Sequence, residues 1–144
     1  MRASHNANTV MRKRDLVIET GRRQTVDITR DVSGILDEVT SDGFLNVFVP
    51  HATAGVAIFE TGAGSEEDLG EVLARLFPRD DRYVHAHGSK GHGADHVIPS
   101  FIAPSVIIPV ADGRMELGTW QRIVLVDPNM DNRARQVLVR FIEG

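Results

Sequence analysis

Histidine is the residue type whose distribution along this chain first suggests chemistry. Four of the six histidines fall in one glycine-containing stretch, Tyr83-Val84-His85-Ala86-His87-Gly88-Ser89-Lys90-Gly91-His92-Gly93-Ala94-Asp95-His96. Another, His51, opens the segment His51-Ala52-Thr53-Ala54-Gly55 between two apolar runs. Neutral imidazole is the commonest side-chain metal ligand near neutral pH, and three such ligands plus an open position make a catalytic zinc-type site. Cysteine is absent, which excludes thiolate catalysis, disulfides and cysteine-bound zinc, so a metal would rest on His, Asp and Glu. The spacing between His51 and the later histidines lacks the fixed geometry of a His-Glu-x-x-His helix. Their meeting depends on the chain folding back on itself.

Other residue types add weaker signals. Glu60 ends the apolar run Val56–Phe59 and could serve as a metal ligand or general base, although solvated charge is the commoner role of a glutamate. Asp68 stands in the first turn of an expected helix, where an acid also favours the positive end of the helix dipole. Gly88-Ser89-Lys90-Gly91 has the look of a phosphate cradle but does not satisfy G-x-x-x-x-G-K-[ST]. Lys90, Arg133 and Arg135 can still bring positive charge to a phosphate. Trp120 is the single tryptophan and is expected to pack the core, with Thr119 and Gln121 beside it free to orient a nearby site.

The elements that must position these residues follow from hydrophobic periodicity. Val32, Ile35, Leu36 and Val39 share one face of a helix expected over Thr29 to Ser41, with Gly43 as its stop. A second helix is expected from Ser65-Glu66-Glu67-Asp68, with Ser65 as its cap, Leu69, Val72, Leu73, Leu76 and Phe77 as its buried stripe, and Pro78 ending it. Strands are expected at Leu16–Ile18, Phe44–Val49, Val56–Phe59, Val106–Val110, Met115–Leu117, Trp120–Val126 and Val137–Ile142, with Ala111-Asp112-Gly113 as a hairpin turn. The uninterrupted run Ile123-Val124-Leu125-Val126 suggests a strand covered on both faces. The histidine-rich stretch reads as a long loop, and such loops are more often functional than decorative.

A chain of 144 residues can bury a core of its own, and no repeat or linker divides it. No apolar run approaches the roughly 20 residues a membrane span needs, and the first residues lack the apolar stretch of a secretory signal. A cytoplasmic protein without membrane contact is therefore expected. The net charge is −4, and setting aside Arg2, Arg12, Lys13 and Arg14 leaves −8 on residues 15–144. That balance offers no basic footprint for nucleic acid. Residues 1–14 are expected to form a flexible basic tail, with Met11 as a possible alternative start, and 15–144 a single domain.

Taken together, His51-Ala52-Thr53-Ala54-Gly55 with Glu60, Tyr83-x-His85, Asp95-His96 and Leu117-Gly118-Thr119-Trp120-Gln121 resemble the YjbQ family, which carries the label secondary thiamine-phosphate synthase. The resemblance runs from about Asp15 to Gly144. It implies an α+β fold, mostly β, with a sandwich-like core and two main helices, assembled as a homotrimer. It further implies a pocket near subunit contacts in which His51, His85 and His96 are metal ligands. Its acidic positions match Glu60 and, at a spacing one residue shorter, Asp68. Its Arg-x-Arg element matches Arg133-Ala134-Arg135. Two departures stand out: His92 replaces a position where the family usually has Asn, and Pro99 would interrupt a helix starting near His96.

The functional expectation is a metal-dependent enzyme acting on a small phosphorylated substrate, in the extreme a transferase making thiamine phosphate. There a thiazole nitrogen attacks the methylene carbon of a pyrimidine diphosphate, and the protein orients two rings and stabilises the departing diphosphate. His51, His85 and His96 would hold the metal and Glu60 and Asp68 would handle water or protons. Lys90, Thr119, Gln121 and Arg135 would contact the substrate. Zinc suits three imidazoles, whereas magnesium suits a diphosphate. The alternatives are a metal-assisted phosphate-ester hydrolase and a non-catalytic trimeric protein that binds metal or a small molecule. His87 and His92 are expected beside the site or in solvent.

Overall fold

The computed structural model describes residues 9–129 and 131–144. Eight strands and three short helices follow in the order β1 (Met11–Glu19), β2 (Thr25–Asp27), α1 (Thr29–Ser33), β3 (Gly43–Phe48), β4 (Gly55–Glu60), α2 (Ser65–Leu76), α3 (His92–Val97), β5 (Ser105–Ala111), β6 (Arg114–Met115), β7 (Gln121–Val126) and β8 (Ala134–Glu143). They build two antiparallel sheets: five strands in the order β1-β8-β3-β5-β6, and three in the order β2-β7-β4. This is the α+β, mostly β architecture expected from the sequence. Residues 1–8 of the expected tail lie outside the described residues, but Met11–Arg14 pair with Val139–Ile142 in β1 and β8. Paired backbone, rather than side-chain polarity, decides that boundary.

The two sheets pack face to face over one core. Leu45, Val47, Ile108, Val139 and Phe141 of the larger sheet meet Ile123 and Leu125 of β7, all of them essentially inaccessible to solvent. The alternate residues of β7, Val124 and Val126, point the other way and pack under Leu73, Phe77, Ala94 and Ile98 of the helical layer. β7 is thus the middle layer of three, which is why its apolar run has no polar alternation. Full burial of each such side chain stabilises the fold by roughly 1.5–3 kcal/mol.

β3 and β4 belong to different sheets, so Pro50–Ala54, with His51, forms the corner where the chain crosses between layers. Between β5 and β6, Asp112 and Gly113 both take positive φ, at 48° and 72°. That is the signature of a two-residue type I′ hairpin turn.

The helices depart from their expected lengths. α1 ends at Ser33 and tightens into a 3-10 turn over Gly34–Leu36 instead of running to Ser41. Its apolar face is nevertheless satisfied, because Val32, Ile35 and Leu36 are buried and Val39 packs against the core. α2 occupies the expected span, but Gly64 rather than Ser65 takes the N-cap position. The Glu66 carboxylate instead accepts the Gly62 backbone N–H at 2.8 Å. Of its expected stripe, Leu73 and Phe77 are buried whereas Val72 and Leu76 remain exposed. The surface under this helix is only wide enough for part of the stripe.

Candidate metal centre

The histidine-rich stretch is not a continuous loop. Its second half forms α3, which begins at His92, so His92 and His96 stand four residues apart on one helical face. Pro99 falls in the following 3-10 turn, Ile98–Ser100, near its start, where a missing N–H costs nothing. The first half of the stretch, Tyr83 to His87, lies against α3. Contact is possible because residue 93 has no side chain: a Cβ there would sit 2.6 Å from the Cβ of Tyr83 and 2.7 Å from the His85 carbonyl oxygen. Gly93 therefore lets the His85 backbone approach the helix.

The result is a cluster of imidazoles. His85, His92 and His96 each offer a ring nitrogen, and these atoms lie within 4.8 Å of one another. The ring centroids of His85 and His92 are each 4.4 Å from that of His96, and the Nε2 atoms of His92 and His96 are 2.8 Å apart. His87 flanks the group, with its centroid 4.1 Å from His85. Removal from solvent, followed by the neighbouring histidines, lowers the pKa of both His85 and His96. Lowered pKa values favour neutral rings, whose lone pairs are available to a cation. In the donor set and its compactness, the three residues fit a zinc-type ion with an open fourth position.

Beneath the cluster α3 is clamped by a buried carboxylate. Asp95 is fully buried, ion-pairs with Arg79 and accepts a hydrogen bond from Asn129 Nδ2 at 2.9 Å. Burial raises its pKa, against the opposing pull of Arg79 and Asn129. Arg79 also donates to the Pro128 carbonyl at 2.7 Å. The histidines thus stand on a helix tied to the segment after β7. In front of them opens a cavity of about 500 Å³, lined in part by His85, His87, Gly88, Ser89, Lys90 and His92. Among the described residues Lys90 is the one lysine or arginine on its wall, which also carries Asp80 and Asp81.

His51 is elsewhere. Its Nε2 accepts the backbone N–H of Gln136 on β8 at 2.9 Å, which leaves the ring proton on Nδ1. Its pKa is lowered by burial first and then by Arg135, with no contribution from another histidine. The expected convergence of His51 with His85 and His96 is therefore not found within the chain, and His92 takes the third place. The sequence carries a signal for this: His92-x-x-x-His96 has helical i, i+4 spacing, and Pro99 lies far enough along to leave that turn of helix intact.

The remaining expected site residues scatter. Arg135 is buried, with its guanidinium forked onto Asp127 at 2.7 and 2.8 Å and donating to Thr53 Oγ1 at 3.0 Å, so it faces no ligand cavity. Glu60 and Gln121 are directly paired across β4 and β7 at an exposed end of the smaller sheet. Gln121 uses its Oε1 to accept the Gly118 N–H at 2.8 Å. Thr119 is exposed beside them, and Asp68 is exposed in the first turn of α2. None of these lines the cavity. Trp120 is 71% exposed rather than packed in the core, because it precedes β7 in the turn that enters the strand.

A two-sheet α+β domain carrying a histidine cluster on a short helix and its facing loop is the class of protein that fold and site define. Residues 14–144 match the family model described as UPF0047 protein YjbQ-like, and the chain belongs to that family. UPF0047 proteins of Mycobacterium bovis and Mycobacterium tuberculosis are 61% identical to it over 129 residues, covering 90% of this chain and 99% of theirs. Among solved structures, a YbjQ-like protein of unknown function from Sulfolobus solfataricus superposes with a TM-score of 0.87 at 25% identity, covering 94% of this chain and 99% of its own. A hypothetical protein from Aeropyrum pernix gives 0.82 at 34% identity, covering 92% and 98%.

Proposed function

We propose that this protein is a metal-dependent enzyme acting on a small phosphorylated substrate, with zinc held by His85, His92 and His96. The observation that carries this reading is the gathering of three ring nitrogens within 4.8 Å, two of them, from His85 and His92, on residues that line an open cavity. A bound zinc would act there as a Lewis acid toward a phosphoryl oxygen or a water. The chain's own residues supply the rest. Lys90 brings positive charge to the cavity wall, α3 holds two histidines at a fixed spacing, and Gly93 keeps His85 close to them. Magnesium, which takes oxygen ligands, would enter only with a diphosphate substrate.

The same proposal includes assembly as a homotrimer. Its support is the outer face of the five-stranded sheet, which no helix among the described residues covers and which presents Met11, Val17, Phe44, Ile107, Pro109 and Ile142 to solvent. An apolar face of that extent marks an interaction surface. Among the described residues, no helix is long and apolar enough to cross a membrane.

Metal analysis of the purified protein, coupled to product analysis, tests the enzyme reading. One zinc per chain is expected, lost in His85→Ala and in His96→Ala. Turnover is expected either of the two thiamine precursors, a pyrimidine diphosphate and a phosphorylated thiazole, or of a simple phosphate ester. Stoichiometric zinc without turnover of any of these would leave a metal-binding protein instead of an enzyme. Absence of stoichiometric metal from the wild-type chain would remove the reading altogether.

A further inference from the structure

His92 carries an anomaly that the metal cluster alone does not explain. Its Nε2 faces the cluster, 2.8 Å from Nε2 of His96. Its Nδ1, on the other side of the ring, is buried and has no hydrogen-bond partner among the described residues. A buried polar atom left unpaired costs about 1–3 kcal/mol, so such an atom calls for a partner within reach. The carboxylate of Asp131 approaches this nitrogen, with Oδ2 at 4.0 Å.

Asp131 is itself held in place. Ser89 Oγ donates to its Oδ2 at 2.8 Å, and its backbone N–H donates to Asn129 Oδ1 at 3.0 Å. Asn129 in turn donates through its side chain to Asp95 within α3 and through its backbone N–H to Asp127 Oδ1, at 3.2 Å. The segment after β7 therefore carries a carboxylate to the outer side of His92 and ties it both to the glycine-rich loop and to the helix. A movement of about 1 Å brings Oδ2 within hydrogen-bond range of Nδ1.

We propose that Asp131 is the positioning residue for His92: its carboxylate accepts the Nδ1 proton and holds the ring in the tautomer whose Nε2 lone pair points into the cluster. A histidine that binds metal through one nitrogen gains from donating its other N–H to a carboxylate, which fixes the tautomer and strengthens the ligand. In the metal-free protein the same tautomer makes His96 the donor in the Nε2 pair and His92 the acceptor. The consequence for metal binding rests on the zinc reading above, whereas the tautomer itself does not.

Long-range nitrogen–proton correlation spectra of the full-length, metal-free protein read the tautomer, with the His92 signals assigned by their loss in His92→Gln. The wild type is expected to show the Nδ1–H form, Asp131→Ala to shift toward Nε2–H, and Asp131→Asn, which keeps an acceptor oxygen, to retain the wild-type pattern. Zinc titration against a chromophoric chelator is the second readout, with affinity expected to fall about 10–100-fold in Asp131→Ala and to recover largely in Asp131→Asn. Ser89→Ala removes the loop anchor but leaves the carboxylate and its backbone tie to Asn129, and its tautomer and affinity are expected to lie between those of the wild type and Asp131→Ala. A wild-type Nε2–H tautomer, or an Asp131→Ala variant that keeps the wild-type tautomer, would overturn the proposal. A wild-type chain that binds no zinc yet shows an Asp131-dependent tautomer would support Asp131 as the positioning residue while removing the metal reading.

Discussion

His51 illustrates how a single hydrogen bond redirects a residue. Its type and its position at a strand end are those of a ligand, but in the folded chain its Nε2 is occupied by the Gln136 N–H. Burial and the neighbouring Arg135 lower its pKa, while Asp127 and the Gln136 hydrogen bond oppose the shift. In the unfolded chain the ring titrates near about 6.5. As pH falls, the unfolded state therefore takes up the proton before the folded state does. Stability contributed by neutral His51 is present above that pH and is lost as pH drops through 6.5 toward the lower folded value. Urea denaturation at pH 7.5 and pH 5.5 is expected to show a smaller acid loss in His51→Gln, which keeps an acceptor but cannot titrate. An equal loss in both proteins would mean that His51 does not carry this part of the pH dependence. Arg135 and Asp127 beside it form a buried pair whose rupture by removing one partner typically costs about 3–5 kcal/mol. The Arg-x-Arg element thus serves the corner of the fold through Arg135.

At the scale of elements, α3 and its facing loop make the candidate site. Neither works alone, since the helix supplies two histidines and the loop supplies the third. Their distance is governed by Gly93, whose hydrogen is all that fits between the helix and Tyr83 and the His85 carbonyl. Ala is a better helix former than Gly by roughly 1 kcal/mol, so Gly93→Ala would stabilise α3 if packing were indifferent. The clash predicts the opposite. The loop is expected to move off the helix, zinc affinity to fall by about 10–100-fold, the scale associated with disturbing a ligand's orientation, and His85 to lose its contact with His96. Chelator competition measures the first effect. An Ala variant with wild-type affinity would show that the loop approaches the helix without needing the space at residue 93.

For the whole molecule, the decisive asymmetry is between the two faces of the larger sheet. One face is sealed against β7 and the other is left open by the described residues, with Ile107 66% exposed at a position flanked by Asn46 across the ladder. A stable interface buries roughly 1,600 Å² or more in total. Ile107→Asp places an unpaired charge in such a surface without touching the core, because the side chain points away from it. Sedimentation of the wild type at micromolar concentration is expected to give a trimer and Ile107→Asp a monomer of unchanged circular dichroism. A monomeric wild type would end the assembly reading, and a variant that still assembles would move the interface off this sheet.

Much of the architecture was determined by the sequence alone, wherever local pattern and burial coincide. The longer β-forming runs, though not the three-residue β2, the hairpin turn at Asp112-Gly113, the span of α2 and the doubly covered strand Ile123–Val126 follow from neighbouring residues and their periodicity. The family motifs spread through the chain identified its family. What only the tertiary structure decided are the relations between distant segments. It assigned Val72, Leu76 and Trp120 to the surface, because an apolar residue is buried only where another layer is broad enough to cover it. It gave Arg135 to Asp127 instead of to a ligand, because a buried guanidinium must be paired. Finally, it replaced His51 with His92 in the cluster. Spacing along the chain shows that His92 and His96 can share a helical face, but whether His85 or His51 reaches them depends on a sheet crossing and on the space above Gly93, both set by long-range packing.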